Sequence, residues 1–451
     1  MNRPAGNVFT LVLLAKPSVD VLWEYGISIG GFRLSPLTVS GFAILLYFSA
    51  YIARQGVHRV PVSGLLIVFL GMNCLGFALG ALSGEPVTLP GSVDFFFRLG
   101  ASFALYISAY QLALKNPDFT FERVLRFSFV GLSVAVVLNV VGIWAGFGGA
   151  KEGAAALLTH TGDGVYREAG LYYDPGVLAV VCLNALILGM ALLASGRIRG
   201  APSRVLVVVI LVFALSLIFK AVSRAAILLA TIDVFVFTVV YARGRVRLLA
   251  FGSIVVLLPA ALILAGINDV VLSNRFESEL STIERLLGGS GDSGSGVSRT
   301  YVDGDEGSLD SLEGLGNNRG MLWRQALADF GARDALTMLF GNGLSLGGHS
   351  DYIDVLGRTG VFGLIVYLLI LSNLLWRTMR RFFRYRGSAD NICWFVAMLF
   401  VINYALYAFP FRPLLYTTPV WYMWIFAGIA FGRTERRRRA QHPSPLALKS
   451  S

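Results

Sequence analysis

Residues Asn318 to Leu369 read NRGMLWRQALADFGARDALTMLFGNGLSLGGHSDYIDVLGRTGVFGLIVYLL, passing from a soluble-looking helix through a glycine-rich turn into an apolar run. At about 100° per residue, Arg319, Trp323, Ala326 and Phe330 share one narrow helix face, flanked by Leu322 and Leu327. Arg324 and Asp329 lie on the opposite, solvent-facing side. An arginine meant for bulk water belongs there, so Arg319 is expected to point into a cleft. The other reading is an arginine that snorkels past Trp323 with a cation–π contact. Gly341-Asn342-Gly343 and Gly347-Gly348 follow, then His349. Ser350 stands where an N-cap is expected, with Asp351 and Asp354 in the acidic first turn of the next helix. A histidine at the mouth of a membrane helix, behind flexible glycines, can reach a substrate at the lipid–water boundary.

The whole chain agrees with a membrane setting. It has 451 residues, 55% of them hydrophobic and 14% charged, and a mean hydropathy of +0.67. These values exclude an ordinary soluble domain and point to an all-α polytopic membrane protein. A net charge of +11 would suggest nucleic acid in a soluble protein. Here the excess sits in short loops between apolar runs, where it reports orientation, so no nucleic-acid partner is expected. Cys74, Cys182 and Cys393 all fall in apolar runs without CxxC spacing, which indicates neither a disulfide framework nor a zinc site. His58, His160, His349 and His442 have no metal-ligand spacing, so neither a metal nor a cofactor is expected. The apolar run from Val8 to Ala15 is broken by Lys16 and Pro17 and does not read as a cleaved signal peptide.

Apolar runs able to cross about 30 Å of hydrocarbon recur along the chain. They are Val8 to Tyr25, Leu37 to Ile52, Gly64 to Leu82, Phe95 to Leu114, Phe127 to Phe147, Pro175 to Leu193, Val205 to Phe219, Ala225 to Tyr241 and Leu248 to Ile267. Three more follow at Tyr352 to Trp376, Ile392 to Phe409 and Leu414 to Phe431, giving about twelve spans. Lys16 and Asp20 in the first run stand at i and i+4 and are expected to neutralise each other. Asp174-Pro175 reads as N-cap and N1. The domain plan is 1–267 for nine spans with an outer loop at 146–172, 268–350 for a large outer loop between the ninth and tenth, 351–432 for the last three, and 433–451 for a basic tail. Within the large loop, Arg275 to Leu287 is amphipathic and is expected to lie along the membrane surface. Gly288 to Asn317 is acidic and rich in glycine and serine, and is expected to be disordered or a mobile lid.

Basic loops alternate with less basic ones, which places both termini in the cytoplasm. Against that bias, Arg167, Lys220, Arg224, Arg319 and Arg324 fall on the outer side. Cations that defy the orientation rule suggest an anionic ligand there, although snorkelling explains single cases equally well. Lys220 and Arg224 sit in a tight hairpin, and Arg167 lies in a tyrosine-rich loop where it could instead pair with Glu168 or Asp174. Guanidinium forks match phosphate oxygens and stabilise a departing diphosphate. An imidazole, with an ordinary pKa of about 6.5, can take a proton from an attacking hydroxyl. His349 suits that role better than His160, which sits in a loop without an adjoining span.

Three elements carry a family resemblance. YREAGLYYDPGVLA resembles an Arg-x-x-Gly-aromatic-x-Asp-Pro element before a span, and SRAA resembles a Ser-Arg-small element. NRGMLWRQALADF, GNG and HSDYIDVLGRTGVFGLIVYLL resemble a closing loop and the helix after it. In this order they resemble the superfamily of bacterial O-antigen ligases and Wzy-type polysaccharide polymerases, over about Tyr166 to Leu369. In the first half only topology agrees, including KPSVDVLW. The resemblance implies a C-type glycosyltransferase-like (GT-C-like) enzyme of the bacterial inner membrane with a periplasmic active site. It would transfer a glycan from an undecaprenyl-diphosphate-linked oligosaccharide to a sugar hydroxyl, with inversion and without a metal, in O-antigen, lipopolysaccharide or exopolysaccharide biosynthesis. His349 and Arg319 would be catalytic, and Arg167, Arg224, Lys220 and Arg324 would hold the diphosphate. Membrane lipid, a chain-length regulator and a flippase are the partners it suggests. Ligases commonly read His-Asn after a longer loop, whereas His349-Ser350 follows Gly343 closely, which favours a polymerase over a ligase. A transporter is the rival from another class, weakened by the absence of an internal repeat or of paired broken helices in the sequence.

Overall fold

A computed structural model of the chain describes residues 2–22, 27–29, 32–56, 60–85, 89–145, 169–172, 174–196, 198, 200–221, 223–241, 319–347, 349–386, 388, 390–415 and 417–441. Five helices come first: α1 (Asn2–Val19), α2 (Pro36–Gln55), α3 (Ser63–Leu82), α4 (Leu89–Lys115) and α5 (Phe121–Trp144). After the 146–168 stretch come α6 (Pro175–Ala194), α7 (Ala201–Lys220) and α8 (Arg224–Tyr241). The last group is α9 (Arg319–Gly331), α10 (Ala335–Phe340), α11 (Asp351–Arg384), α12 (Asn391–Tyr407) and α13 (Thr417–Gln441). Strands β1 (Ile27–Ile29) and β2 (Phe32–Leu34) form the one small antiparallel sheet among the described residues.

Seven of these helices are long and apolar enough to cross a membrane: Arg3–Leu22, Ser63–Leu82, Phe121–Trp144, Pro175–Ala194, Ala201–Lys220, Arg224–Tyr241 and Asp351–Arg384. The shorter α12 is equally apolar in character. This is the helical architecture that a polytopic membrane protein requires. The expected ninth span, Leu248 to Ile267, lies outside the described residues, as do the amphipathic piece at 275–287, the glycine- and serine-rich run at 288–317 and most of the 146–172 loop.

Local chemistry sets the helix starts. Asp174 accepts from the Gly176 N–H with Pro175 at the first helical position, as its sequence indicates. Ser35 caps α2 through Thr38 N–H ahead of Pro36, and Thr120 caps α5 through Arg123 N–H with Glu122 in the first turn. Lys16 and Asp20 are buried and form an ion pair, with the Lys16 ammonium 5.1 Å from the centre of the Trp421 ring. Two opposite charges thus enter an apolar bundle as a neutral unit.

Small residues bring the helices together. In α13, Gly428 and Gly432 lie one above the other at i and i+4, and a Cβ on either would collide with the carbonyl of Tyr106 or Tyr110 on α4. Ala109 and Ala113 face them, and small residues at such positions let two helix backbones approach closely. Helix α11 is interrupted at Gly360, where φ is 66° and ψ is −170°. The break was not anticipated from the apolar run 352–376, and it splits α11 into a short first piece and a long second one.

Candidate functional site

The chain between α12 and α13, Tyr407 to Arg412, is the point on which the sequence motifs converge. From the Asp-Pro motif, the Gly176 carbonyl accepts from the Tyr407 hydroxyl at 3.2 Å. From the Ser-Arg motif, the Ser223 hydroxyl lies 3.2 Å from the same Tyr407 oxygen, and since Tyr407 donates to Gly176, Ser223 is the donor. From the His-Ser-Asp segment, the Asp351 N–H donates to the carbonyls of Ala408 and Phe411, 3.0 Å each, and the Ser350 hydroxyl donates to Ala408 at 3.2 Å. From α9, Trp323 meets Phe409 edge to face at 5.3 Å, and Tyr352 lies tilted against Phe409 at 5.6 Å. Segments nearly two hundred residues apart in sequence are therefore joined at one end of the bundle.

Asp351 fixes this corner. Its side chain is fully buried, and its carboxylate accepts from Leu414 N–H at 3.0 and 3.3 Å and from Tyr404 O–H at 3.3 Å. Tyr404 is also 2.8 Å from the Tyr367 hydroxyl, so the chain of hydrogen bonds continues into the bundle. Ser350 occupies the N-cap position of α11, but its hydroxyl bonds Ala408 rather than capping the helix as expected. Ser350 is buried at the corner, with its hydroxyl directed at the Ala408 carbonyl.

His349 is exposed one residue before this anchor, in a left-handed conformation with φ 49°, and its N–H donates to Gly347 O. A left-handed histidine is uncommon and is held here by the anchored residues that follow it. Arg224 is the first residue of α8 and is half-buried. Lys220, the last residue of α7, is half-buried and borders a small cavity with Trp144, Phe213 and Ser216. Arg319 opens α9, Arg324 is exposed, and Arg167 and His160 lie outside the described residues. On α9, Ala326 and Phe330 are buried and Trp323 is half-buried, as the helical face predicts. Of the two flanking residues, Leu322 is half-buried and Leu327 is half exposed.

Three further arginines at this end were not singled out from sequence. Arg358 donates to Asp354 at 2.9 Å and to the Gly343 carbonyl at 3.1 Å, and stacks 4.5 Å over Phe95. Arg333 donates to Asn342 and to the Gly357 carbonyl, and Asn342 reaches Glu85 at 3.4 Å. Burial draws the Arg333 guanidinium below its ordinary value, opposed by Glu85, Asp329 and Asp334. Arg412, next to the corner, reaches the Ser345 hydroxyl at 3.4 Å. The signal for Arg358 was present as an Asp354/Arg358 pair at i and i+4. This end of the bundle thus holds several guanidinium groups, an exposed imidazole and a hydrogen-bonded corner. As a sequence, the chain matches no protein-family profile and no characterised protein.

Proposed function

We propose that the chain is a polysaccharide polymerase of the bacterial inner membrane, GT-C-like, with about twelve spans, both termini in the cytoplasm and its active site in the periplasm. Its donor is an undecaprenyl-diphosphate-linked oligosaccharide, and its acceptor is a sugar hydroxyl on another lipid-linked repeat unit. The observation that carries this reading is the convergence of the Asp-Pro, Ser-Arg and His-Ser-Asp motifs on Tyr407 to Phe411. A cation cluster and a histidine reach one place only if those segments do.

In the proposed reaction, the acceptor oxygen attacks the anomeric carbon of the donor while His349 takes the hydroxyl proton. The bond from that carbon to the diphosphate oxygen breaks, and its electron pair leaves with the diphosphate. Arg167, Arg224 and Arg319, with Lys220 and Arg324 nearby, neutralise the departing charge, and attack from the face opposite the leaving group inverts the centre. Holding both lipid-linked partners in one plane supplies much of the rate by proximity.

The test is the glycan left by a strain that lacks the protein. Single repeat units on the carrier lipid, with no long polymer, are expected. Long glycan on the carrier, with only its transfer to the lipid A core lost, would make the protein an O-antigen ligase, and unchanged glycans would remove both readings.

A further inference from the structure

Helices α8 and α12 run antiparallel and are joined by three polar rungs. Ser223 meets Tyr407 at the site end, Asp233 meets Asn403 midway at 2.6 Å, and Tyr241 meets Asn391 at the far end at 2.7 Å. The middle rung is unlike the others because it contains an acid. Asp233 is 0% exposed and Asn403 is 5% exposed. It stands nine residues beyond Arg224, about 14 Å along the helix axis and so deep in the apolar layer.

The Asn403 amide N–H donates to Asp233 Oδ2, which satisfies one oxygen of the carboxyl. Asp233 Oδ1 and Asn403 Oδ1 are both sealed from solvent and have no hydrogen-bond partner among the described residues. The titratable groups on α8 and on the helices packed against it are Arg224 and Tyr241 on α8, Cys182 on α6, Arg204 and Lys220 on α7, and Cys393, Tyr404 and Tyr407 on α12. Among the described residues, Asn403 is the side chain hydrogen-bonded to the Asp233 carboxyl. A carboxylate at this depth without a counterion carries a large desolvation cost, and it would also set a negative oxygen beside a second acceptor.

One hydrogen resolves both orphaned oxygens. We propose that Asp233 is a resident proton-binding site, held as the neutral acid, whose Oδ1–H donates to Asn403 Oδ1 and closes a two-bond acid–amide ring between α8 and α12. The ring joins the helix that begins with Arg224 to the helix that ends at the Tyr407 corner without placing net charge between them. It stands on the Asp233–Asn403 geometry alone and does not depend on the reaction proposed above.

The full-length protein, purified in detergent at pH 7, tests this by infrared difference spectroscopy between parent and Asp233→Asn. The parent is expected to show one protonated-carboxyl C=O band that the variant lacks, with no difference in the carboxylate bands. Asparagine can form the same two-bond ring, so Asp233→Asn should melt with the parent. Asp233→Leu should melt lower, and Asp233→Leu with Asn403→Leu should recover most of that loss, because no polar group is then orphaned. Loss of a carboxylate band in Asp233→Asn would overturn the proposal, as would an Asp233→Asn protein that fails to accumulate or melts as low as Asp233→Leu.

Discussion

Replacing Asp351 with alanine removes the group that ties the start of α11 to the Tyr407 corner. Two buried donors, Leu414 N–H and Tyr404 O–H, lose their acceptor. Tyr404 and Tyr367, 2.8 Å apart, can share only one hydrogen bond, so turning Tyr404 toward Tyr367 frees the Tyr367 hydrogen instead, and the backbone N–H of Leu414 cannot turn. Two buried donors therefore stay unsatisfied, at about 1–3 kcal/mol each. At 1.4 kcal/mol for each factor of ten, even one of them lowers the population with an ordered corner about five- to hundredfold. Asp351→Asn keeps an acceptor oxygen for Leu414 and should lose much less. Because His349 and Ser350 hang directly from this anchor, polymer formation should fall in Asp351→Ala while the protein still accumulates in the membrane. The assay pairs long-chain glycan per unit of membrane protein with the thermal midpoint of the purified variants. Parental polymer and an unchanged midpoint in Asp351→Ala would refute the argument that Asp351 holds the corner.

Arg224→Ala should abolish polymer at normal protein level and Arg224→Lys should rescue it poorly, since an ammonium is a point charge without the two-pronged fork; full activity of the lysine variant, read on glycan gels, would show that only local charge matters. His349→Ala should eliminate polymer and His160→Ala should not, and equal polymer from His349→Ala and parent would leave the arginines and proximity as the sources of rate. Gly360→Ala should destabilise by about 1–3 kcal/mol from backbone strain alone, because φ 66° with ψ −170° is open almost only to glycine. Its Cβ would also strike the Leu339 carbonyl, whereas Gly71 in α3 has open space beside it, so Gly71→Ala is the control whose melting point should not move.

Much of the fold was legible because it follows from runs of apolar residues and from caps that work locally. Asp174-Pro175 starts a helix through bonds to its own next turn, and Lys16 with Asp20 pair across one turn, so neighbours in sequence suffice. The stripe of half-buried Trp323 with buried Ala326 and Phe330 follows from helical spacing. The corner at 407–412 was not legible for a definite reason. Its acceptors are main-chain carbonyls of Ala408 and Phe411, which side-chain identity does not encode; YAF reads as the end of one apolar run and PFRP as a plain gap before the next. Gly360 was missed because glycine is common in membrane helices, and only the approach of Leu339 and Phe340 makes a break necessary there.

The break in α11 also bears on the rival reading of the chain as a transporter. In transporters, interrupted helices expose carbonyls at the break, and those carbonyls coordinate the transported or coupling ion. Here two carbonyls just before the break are already taken. Arg358 O accepts from Gly343 N–H at 3.1 Å, and Gly357 O accepts from Asn342 N–H at 3.4 Å and from the Arg333 guanidinium at 3.2 Å. Arg358 in turn donates to the Gly343 carbonyl, so the 341–343 loop is bound to the break from both sides. A Cβ added at Gly341 or Gly360 would meet backbone, which shows how closely the loop fills the gap. An ion entering the break would have to displace these bonds and leave Arg358 beside it as a repelling charge. A filled break of this kind holds the first piece of α11, with His349 just ahead of it, at a fixed angle to the rest of the bundle. That serves a site needing one rigid geometry and works against one that must open alternately to two sides.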